Sequence, residues 1–572
     1  MNETDRMAVE CAKKELVARA FSYKGENTWE GRIDIGLAKP IKIRVELTDR
    51  FPYELPNLYV DYKRLPRIVP HVDRKGKICI AEAEILIDSE RPDQIIIEAL
   101  SIAESTLRDG LAGKSDSDIA EEFLSYLEIN SKSNSICNPT PGYPKEISLL
   151  EFKGFHHRQP GNLFADDLES GKNWLNKMDF EFLSERKAWF YVLSQPIMPP
   201  DYKTKYRNKH FIKDIKNNSS PQEYSRFIEW LKAVGLPAPI LVSIPISETS
   251  GTALYAIYLN KPSEKEAKKG GFRGKLPFDV EIGLIMVLHA EQSLIVRLDR
   301  QYLINRGGAF PDLQDQCVTI LGCGSVGSFL AEKIASLGVG NIRLIDNDIL
   351  SNDNVHRHYL GVECLSMEKA HAMKIFLENR FPHLNIEYMQ DDIIDIMQDD
   401  MEFITGADLL CIALGHETLE LNINRILKHK MPRLHTWVEP LGIGGHVFAT
   451  GLPDGGGCFK CLFDRDETYG LRNMSAFSAP GQRFSKTYSG CSGFYTPYSV
   501  LHADRTAIEA ANLAVDILKG RRMHNFLLSW YGDPCELTKA GFRQSDRTRL
   551  VKPGQIIVND IRQIPDCICR QQ

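Results

Sequence analysis

Three glycines in a G-x-G-x-x-G spacing, Gly322, Gly324 and Gly327, are the clearest chemical signal in this chain of 572 residues. A short apolar run, Cys317–Leu321, precedes them, and a segment with helical periodicity, Ser328–Leu337, follows. Glycines let a phosphate approach the backbone closely, and the N-terminus of the following helix offers free N–H groups. The strand–turn–helix context therefore predicts a bound nucleotide. It leaves open whether this nucleotide is a redox cofactor or ATP.

Polar and charged residues follow the second apolar run, Ile342–Ile345. Asp346 ends this run, where an acid can bind a ribose hydroxyl. The stretch that follows adds four residues of the types that bind phosphates and a metal: Asp348, Asn354, Arg357 and Lys369. Cations on phosphate oxygens and a carboxylate near a metal suit ATP with Mg²⁺. An NAD-dependent oxidoreductase is the alternative, and it predicts nicotinamide binding without pyrophosphate release.

Cysteines form two close pairs in the last third of the chain. Cys458 and Cys461 have a C-x-x-C spacing, and Cys567 and Cys569 lie near the C-terminus. Two such pairs suit one tetrahedral zinc site. Cys491 lies apart from them in a Gly- and Ser-flanked segment before a predicted helix, where an exposed thiol ionises readily and acts as a nucleophile. A cysteine that only packs is the alternative for this position.

Composition and charge exclude some classes of protein. A net charge of −6 gives no electrostatic reason to expect a nucleic-acid partner. No apolar run approaches the roughly 20 residues of a membrane span, and the N-terminus does not read as a signal peptide. The thirteen cysteines are scattered along the chain, which favours reduced thiols in the cytoplasm.

The N-terminal segment combines a helix, alternating strands, a proline pair (Pro52 and Pro56), an isolated Cys79 and a helix that starts at Pro92. This order resembles the ubiquitin-conjugating (UBC) fold. The resemblance implies that Cys79 carries a thioester and that His71 takes the place of the histidine in the His-Pro-Asn motif. The chain departs from that motif, because Asp73 replaces the asparagine. An ionised carboxylate cannot donate a hydrogen bond to an oxyanion.

The C-terminal segment resembles the ThiF/MoeB and ubiquitin-activating adenylation family. Its signature of two acids, an asparagine, an arginine and a lysine matches the five residues from Asp346 to Lys369 named above, with His358 in place of a glutamine. The resemblance implies adenylation of a C-terminal carboxylate with ATP and Mg²⁺, a structural Zn²⁺ held by the two cysteine pairs, and a thioester on Cys491. Gly415 and His416 stand where the family has a magnesium-binding Asp-Asn, and we expect Glu417 to compensate.

The expected fold class is a multidomain α/β and α+β protein. Residues 1–130 form a UBC-like domain, residues 131–291 a linker (131–144) with a small α/β spacer domain, and residues 292–572 a Rossmann-like adenylation domain. This order resembles the bacterial fused activating–conjugating enzymes of type II CBASS anti-phage operons. The resemblance implies a relay from Cys491 to Cys79, a cGAS-like nucleotidyltransferase as the activated partner, and a homodimer. It does not identify the amine that receives the acyl group. The alternative is a sulfur-carrier activator whose N-terminal domain only binds.

Overall fold

A computed structural model describes residues 3–570, except for 37–38, 81–85, 128–130, 141, 155–159, 198, 200–205, 248–250, 264, 266–276, 429–430, 488–493 and 566. The chain divides into two compact units. One unit contains Met1–Asn173 and Phe180–Leu298, and the other contains Trp174–Asp179 and Asp299–Gln572.

The first unit begins with a helix and an antiparallel sheet of five strands in sequential order. Side chains on β3 alternate between the two faces, so that Ile43 and Val45 are buried while Lys42 and Arg44 are exposed. This period of two is the pattern of a strand with one covered face. The elements are α1 (Glu3–Ala18), β1 (Ser22–Gly25), β2 (Thr28–Ile33), β3 (Ile41–Glu46), β4 (Asn57–Val60), β5 (Lys77–Ile78), α2 (Pro92–Leu111) and α3 (Asp118–Glu121).

The long helix α2 starts at a proline because the first helical position needs no N–H donor. Ile96, Ala99, Ala103 and Leu107 are fully buried at helical spacing and belong to the same apolar core as the sheet. This packing supports the hairpin that carries Cys79.

The rest of the first unit contains a closed barrel of seven strands in the order β10-β11-β12-β6-β8-β7-β9. Its elements are β6 (Ser131–Cys137), β7 (Lys145–Lys153), β8 (Gly161–Ala165), α4 (Leu168–Lys177), β9 (Glu181–Val192), α5 (Asn208–Asn217), α6 (Pro221–Val234), β10 (Ala238–Ser247), β11 (Gly251–Leu259), α7 (Phe278–Ile285) and β12 (Glu291–Arg297).

The structure differs from the sequence expectation at two places in this region. The segment 131–144 was predicted to be a linker because it is rich in Ser, Asn and Pro, but Ser131–Cys137 is a barrel strand paired with β8 and β12. The strand β12 also continues past residue 292 to Arg297, so the second compact unit begins its main segment at Asp299. Both strands form because strands distant in the sequence satisfy their backbone hydrogen bonds.

The second unit is organised around a sheet of eight strands in the order β15-β14-β13-β16-β17-β18-β23-β24. Strands β13 to β17 run parallel, and the remaining three pair antiparallel. Its strands are β13 (Cys317–Leu321), β14 (Asn341–Ile345), β15 (Asn385–Met389), β16 (Leu409–Ile412), β17 (Arg433–Val438), β18 (Gly444–Thr450), β23 (Phe526–Tyr531) and β24 (Ile556–Asp560). Chain order reverses on either side of β13, and ligands bind at the carboxyl ends of the strands at such a point.

Helices and small hairpins complete the second unit. They are α8 (Arg300–Gly307), α9 (Gly327–Ser336), α10 (Lys369–Arg380), α11 (Ile393–Asp399), α12 (Met401–Thr405), α13 (Glu417–Leu427), β19 (Phe463–Asp466), β20 (Gly470–Asn473), β21 (Lys486–Thr487), β22 (Phe494–Tyr495), α14 (Val500–Leu518) and α15 (Cys535–Lys539). Alanines 503, 507, 510 and 514 form the buried face of α14, which lets this helix pack closely on α9 and the sheet. None of the helices that the structure describes is both long and apolar enough to cross a membrane.

Candidate functional site

The three glycines of the turn between β13 and α9 have different structural roles. Gly322 has a φ of +88°, and a Cβ there would lie 2.8 Å from the carbonyl oxygen of Ala413. A Cβ on Gly327 would lie 1.7 Å from the carbonyl oxygen of Gly322. Gly324 has no heavy atom within 4 Å of a Cβ position, so its backbone is open. The first and third glycines therefore shape the turn, and the second leaves room for a ligand.

A cleft of about 880 Å³ opens at this turn and at the carboxyl ends of β16 and β17. Its lining includes Gly324 and two cations from the segment after β14, Arg357 and Lys369. It also includes carboxylates from the segments after β16 and β17: Glu417, Glu420 and Glu439. The cleft thus combines cations with carboxylates, which suits a nucleotide triphosphate and its metal.

Asp346 and Asp348 do not line the cleft, but their carboxylates position the glycine turn and Lys369, which do. The Asp346 carboxylate accepts hydrogen bonds from the backbone N–H of Cys323 at 2.6 Å and of Asp348 at 2.8 Å. Burial raises the pKa of Asp346 above its usual value. The Asp348 carboxylate lies 2.7 Å from Nζ of Lys369, whose side chain is nearly buried. Asp346 therefore fixes the glycine turn, and Asp348 orients the lysine. A contact between Asp346 and ribose stays a prediction.

His358 has a structural role that the sequence did not indicate. Its Nε2 donates to the carbonyl oxygen of Cys323 at 2.7 Å, and its Nδ1 accepts from the N–H of Leu360 at 3.0 Å. This pattern requires the neutral ring with its proton on Nε2. Burial lowers the pKa of His358 to about 4, so the ring stays neutral at physiological pH. A glutamine can donate and accept in the same way, which accounts for the exchange at this position.

Asn354 and Arg357 lie on the segment that leads from β14 to α10. The Asn354 side-chain oxygen accepts hydrogen bonds from both the N–H and the hydroxyl of Ser351, at 3.2 Å each. Both residues line the cleft. Among the residues that the structure describes, no carboxylate forms an ion pair with Arg357, which leaves its guanidinium available to a phosphate.

Glu439 anchors a buried polar network that sequence reasoning missed. Its carboxylate accepts from His446 Nε2 at 2.8 Å, from the N–H groups of Phe477 and Ser478 at 2.6 and 2.9 Å, and from the Ser478 hydroxyl at 2.6 Å. The other His446 nitrogen lies 2.8 Å from the Ser529 hydroxyl. These residues come from four separate segments of the chain, so no local motif could reveal them.

The two cysteine pairs meet in one cluster. Sγ atoms of Cys458 and Cys567 are 3.4 Å apart, those of Cys461 and Cys569 are 3.6 Å apart, and all four lie within 4.8 Å of one another. A tetrahedral zinc with Zn–S bonds of ~2.3 Å needs sulfur separations of ~3.8 Å, so the donor set fits this metal. Hydrogen bonding from Cys461 lowers the pKa of the Cys458 thiol.

In the first unit, the exposed Cys79 lies on a short hairpin opposite His71. Its N–H donates to the His71 carbonyl oxygen at 2.8 Å, and the next residues inward, Val72 and Ile78, pair in an antiparallel bridge. Val72 and Ile78 are buried, so cross-strand alternation puts Cys79 on the outer face of the hairpin. The turn is closed by Asp73, whose carboxylate accepts from the N–H groups of residues 75 and 77 at 2.8 Å.

Two acids hold His71 from a distant part of the same unit. The Glu122 carboxylate accepts from the His71 N–H at 2.9 Å and lies 2.7 Å from its Nδ1, while Asp118 lies 3.3 Å from Nε2. His71 has a φ of +63°, which is rare for a residue with a side chain. The Glu122 contacts stabilise this backbone conformation. Sequence reasoning missed both acids, although their i, i+4 spacing was visible.

Cys491, the other predicted nucleophile, lies outside the described residues. Its role stays a prediction.

Comparisons with known proteins agree with the division of the chain into an N-terminal and a C-terminal part. Residues 298–515 match the model of the ThiF family, and residues 4–136 match the model of prokaryotic E2 family B. The chain is 22% identical over 479 residues to the ATP-dependent ubiquitin transferase-like protein Cap2 of Pseudomonas aeruginosa, covering 80% of this chain and 81% of that protein. The Cap2 protein of Escherichia coli is 21% identical over 528 residues, 86% of each chain.

A shorter similarity is confined to the C-terminal part. The molybdopterin-synthase adenylyltransferase of Haemophilus influenzae is 41% identical over 69 residues, 12% of this chain and 28% of that protein. The predicted arrangement, an E2-like domain before a ThiF domain, is confirmed. The chain is an adenylating and conjugating enzyme, and ATP-dependent adenylation with ubiquitin-like conjugation is the chemistry that these comparisons support.

Proposed function

We propose that this chain uses ATP to activate the C-terminal carboxylate of a partner protein and passes the acyl group through cysteine thioesters to an amine. One observation carries the proposal. The chain combines a glycine-turn cleft lined by Arg357 and Lys369 with an exposed thiol, Cys79, that lies opposite His71 on a hairpin. A nucleotide site and a nucleophilic thiol are the two parts that acyl activation and acyl transfer require.

The adenylation step depends on the residues around the glycine turn. A carboxylate oxygen of the partner attacks the α-phosphorus of ATP, the bond to the pyrophosphate oxygen breaks, and an acyl-adenylate and pyrophosphate form. Backbone N–H groups at Gly324 and at the N-terminus of α9 donate hydrogen bonds to phosphate oxygens. Arg357 and Lys369 offset the negative charge that develops on the phosphates. Magnesium, when bound with ATP, neutralises part of the phosphate charge.

The transfer steps follow as successive acyl exchanges. The Cys491 thiolate attacks the acyl-adenylate and releases AMP, and the Cys79 thiolate then takes the acyl group and releases Cys491. An amine finally attacks the Cys79 thioester, gives an amide and returns the thiolate. Each exchange divides one difficult reaction into easier ones. We propose that His71, held by Glu122, accepts the proton of the attacking amine.

Cys458, Cys461, Cys567 and Cys569 hold a structural zinc in this proposal. The spacing of the four sulfur atoms supports it. A bound zinc would tie the C-terminal end of the chain to the segment after β18, and it takes no part in the acyl transfers.

The partner is proposed by analogy. The names of the Pseudomonas and Escherichia relatives describe ubiquitin transferase-like proteins, which supports a protein substrate modified at its C-terminus. A cGAS-like nucleotidyltransferase as that substrate, a homodimeric enzyme and a cytoplasmic location follow from the family resemblance. The target amine is not identified. The similarity to a molybdopterin-synthase adenylyltransferase favours a second candidate, activation of a sulfur carrier, in which Cys79→Ala leaves sulfur transfer intact.

ATP–pyrophosphate exchange tests the adenylation step. Exchange is measured with the full-length chain and a cGAS-like nucleotidyltransferase that retains its natural C-terminus. We expect Lys369→Met to reduce exchange about 100-fold, because it removes a preorganised charge at the phosphates. Lys552→Met, a change at the surface, is the matched control. Equal exchange by the Lys369→Met variant and the unaltered chain would contradict the proposed role of the cleft.

A further inference from the structure

Three carboxylates line the cleft, and two of them are not available to bind a metal ion. Glu439 accepts four hydrogen bonds, from His446, Phe477 and both donors of Ser478. Two carboxylate oxygens offer about four lone-pair positions, so Glu439 has none left for a metal. Its role is to support the wall of the cleft.

Glu420 is also unsuited to bind a cation. It is 2% exposed and lies 2.8 Å from Nδ1 of His435, a second fully buried side chain. Burial raises the pKa of Glu420 to about 8, although backbone hydrogen bonds from Gly415 and His416 lower it in part. Burial also lowers the pKa of His435. At neutral pH the Glu420–His435 pair therefore carries little net charge, and a protonated carboxyl group is a poor ligand for a hard cation.

Glu417 differs from both in its contacts, although burial raises its pKa as well and the hydrogen bond from Asn473 lowers it only in part. It is the first residue of α13 and is exposed to the cleft. Its Oε1 accepts a hydrogen bond of 3.0 Å from Nδ2 of Asn473. Among the described residues, Oε2 of Glu417 has no hydrogen-bond partner. The carboxylate is thus held at one oxygen while the other remains available.

Asn473 is itself held in the orientation that this contact needs. Its side-chain oxygen accepts from the N–H of Ser475 at 3.0 Å and from the Ser475 hydroxyl at 2.5 Å. With the oxygen occupied by two donors, the amide must present its nitrogen to Glu417. The arrangement orients a carboxylate before any ligand arrives, which is how ligand carboxylates of metal sites are supported.

A neighbouring residue independently indicates a polar ligand in the cleft. Thr436 lines the cleft and is 1% exposed, and its hydroxyl oxygen has no hydrogen-bond partner in the part of the chain that is described. Buried hydroxyl groups almost always have a partner, so an unsatisfied one in the lining points to a ligand that completes it. Arg357 and Lys369 in the same lining suit the phosphates of that ligand.

We infer that Glu417 supplies the protein carboxylate ligand for the magnesium bound with ATP, and that Asn473 is its positioning residue. The inference rests on the proposed adenylation and deepens it. Magnesium prefers one or two carboxylates together with substrate phosphates and water. Glu417 lines the cleft with one oxygen held by Asn473 and the other available, so it is the carboxylate that meets this preference.

The test is the magnesium dependence of nucleotide binding, measured by titration calorimetry on the full-length chain. For Glu417→Gln we expect the half-saturating Mg²⁺ concentration for ATP binding to rise about tenfold or more, and for Asn473→Ala to rise less. Affinity for AMP, which lacks the outer phosphates that share a metal, should stay within about twofold. Glu467→Gln, an exposed position in the β19–β20 turn, should match the unaltered chain.

The outcomes separate this inference from the proposed function. If Glu417→Gln keeps the Mg²⁺ midpoint of the unaltered chain, the inference is overturned while adenylation still stands. If Glu417→Gln loses AMP and ATP affinity equally, its role is structural and the inference is again overturned. If the unaltered chain binds no ATP at any Mg²⁺ concentration, the proposed adenylation and the inference are overturned together.

Discussion

The N–H of Cys79 donates a 2.8 Å hydrogen bond to the carbonyl oxygen of His71, so the exposed thiol and the imidazole belong to directly opposed positions of one hairpin. The imidazole is held in place, because the Glu122 carboxylate contacts both the backbone N–H and the ring Nδ1 of His71. One hairpin and one distant helical segment therefore position Cys79, His71 and Glu122, which in the proposed function are the nucleophile, the base and the acid that orients the base. This constellation can serve an amine that attacks a Cys79 thioester.

Glu122→Gln should slow transfer from Cys79 without preventing its charging. Loss of the carboxylate weakens the orientation and basicity of His71, and it should remove part of a general-base contribution that is typically about 100- to 10,000-fold. The measurement is single-turnover discharge of the preformed thioester to an excess of a small amine across a pH series. Glu98→Gln, on the exposed face of α2, is the control. If Glu122→Gln discharges at the unaltered rate at every pH, His71 is not the base.

His358→Gln should reduce the loss of stability that the second unit undergoes at acidic pH. The folded-state pKa of His358 is about 4, against 6.5 for the free side chain, so the unfolded chain binds more protons between these values. The contribution of neutral His358 to the free energy of unfolding is therefore complete above pH 6.5 and is lost as the pH falls toward 4. The complete loss amounts to about 3 kcal/mol. Glutamine keeps both hydrogen bonds but does not titrate.

The measurement is scanning calorimetry of the C-terminal unit between pH 7 and pH 5. His358→Gln should lose less stability than the unaltered chain over this range. His356→Gln changes an exposed neighbour and should behave like the unaltered chain. A decline of the same size in His358→Gln would show that other groups cause the acid sensitivity.

Much of the second unit could be predicted from local sequence. The strand Cys317–Leu321 has the bounds of its apolar run, and the helix predicted to follow the Cys491 segment is α14 (Val500–Leu518). An apolar run before a glycine turn and a periodic row of alanines can both be recognised within a short stretch of sequence.

Contacts between distant residues could not be predicted in this way. His71 and Glu122 are 51 positions apart, and the carboxylate of Glu439 is held by residues up to 39 positions away. The composition of the barrel strand Ser131–Cys137 is polar and predicts a linker, because its partners, β8 and β12, follow much later in the chain. Side-chain networks and barrel closure depend on tertiary structure, which local patterns do not contain.

Loss of one cysteine from each pair should release the metal. Purified protein should contain about one zinc per chain, and Cys458→Ser or Cys567→Ser should contain almost none, since a structural site needs all four ligands. Elemental analysis measures the metal, and calorimetry should show a lower unfolding temperature because metal binding is coupled to folding. Cys535→Ser, an exposed cysteine outside the cluster, is the control. Full zinc content in both cluster variants would contradict the assignment.

The most direct test of the relay is a non-reducing gel of the full-length enzyme with ATP, Mg²⁺ and a cGAS-like nucleotidyltransferase. The unaltered chain, Cys79→Ala and Cys491→Ala are compared side by side. We predict a thiol-sensitive adduct on the unaltered chain, no adduct with Cys491→Ala, and an adduct but no amide product with Cys79→Ala. If both variants charge and conjugate like the unaltered chain, the cysteine relay is wrong and the N-terminal domain only binds.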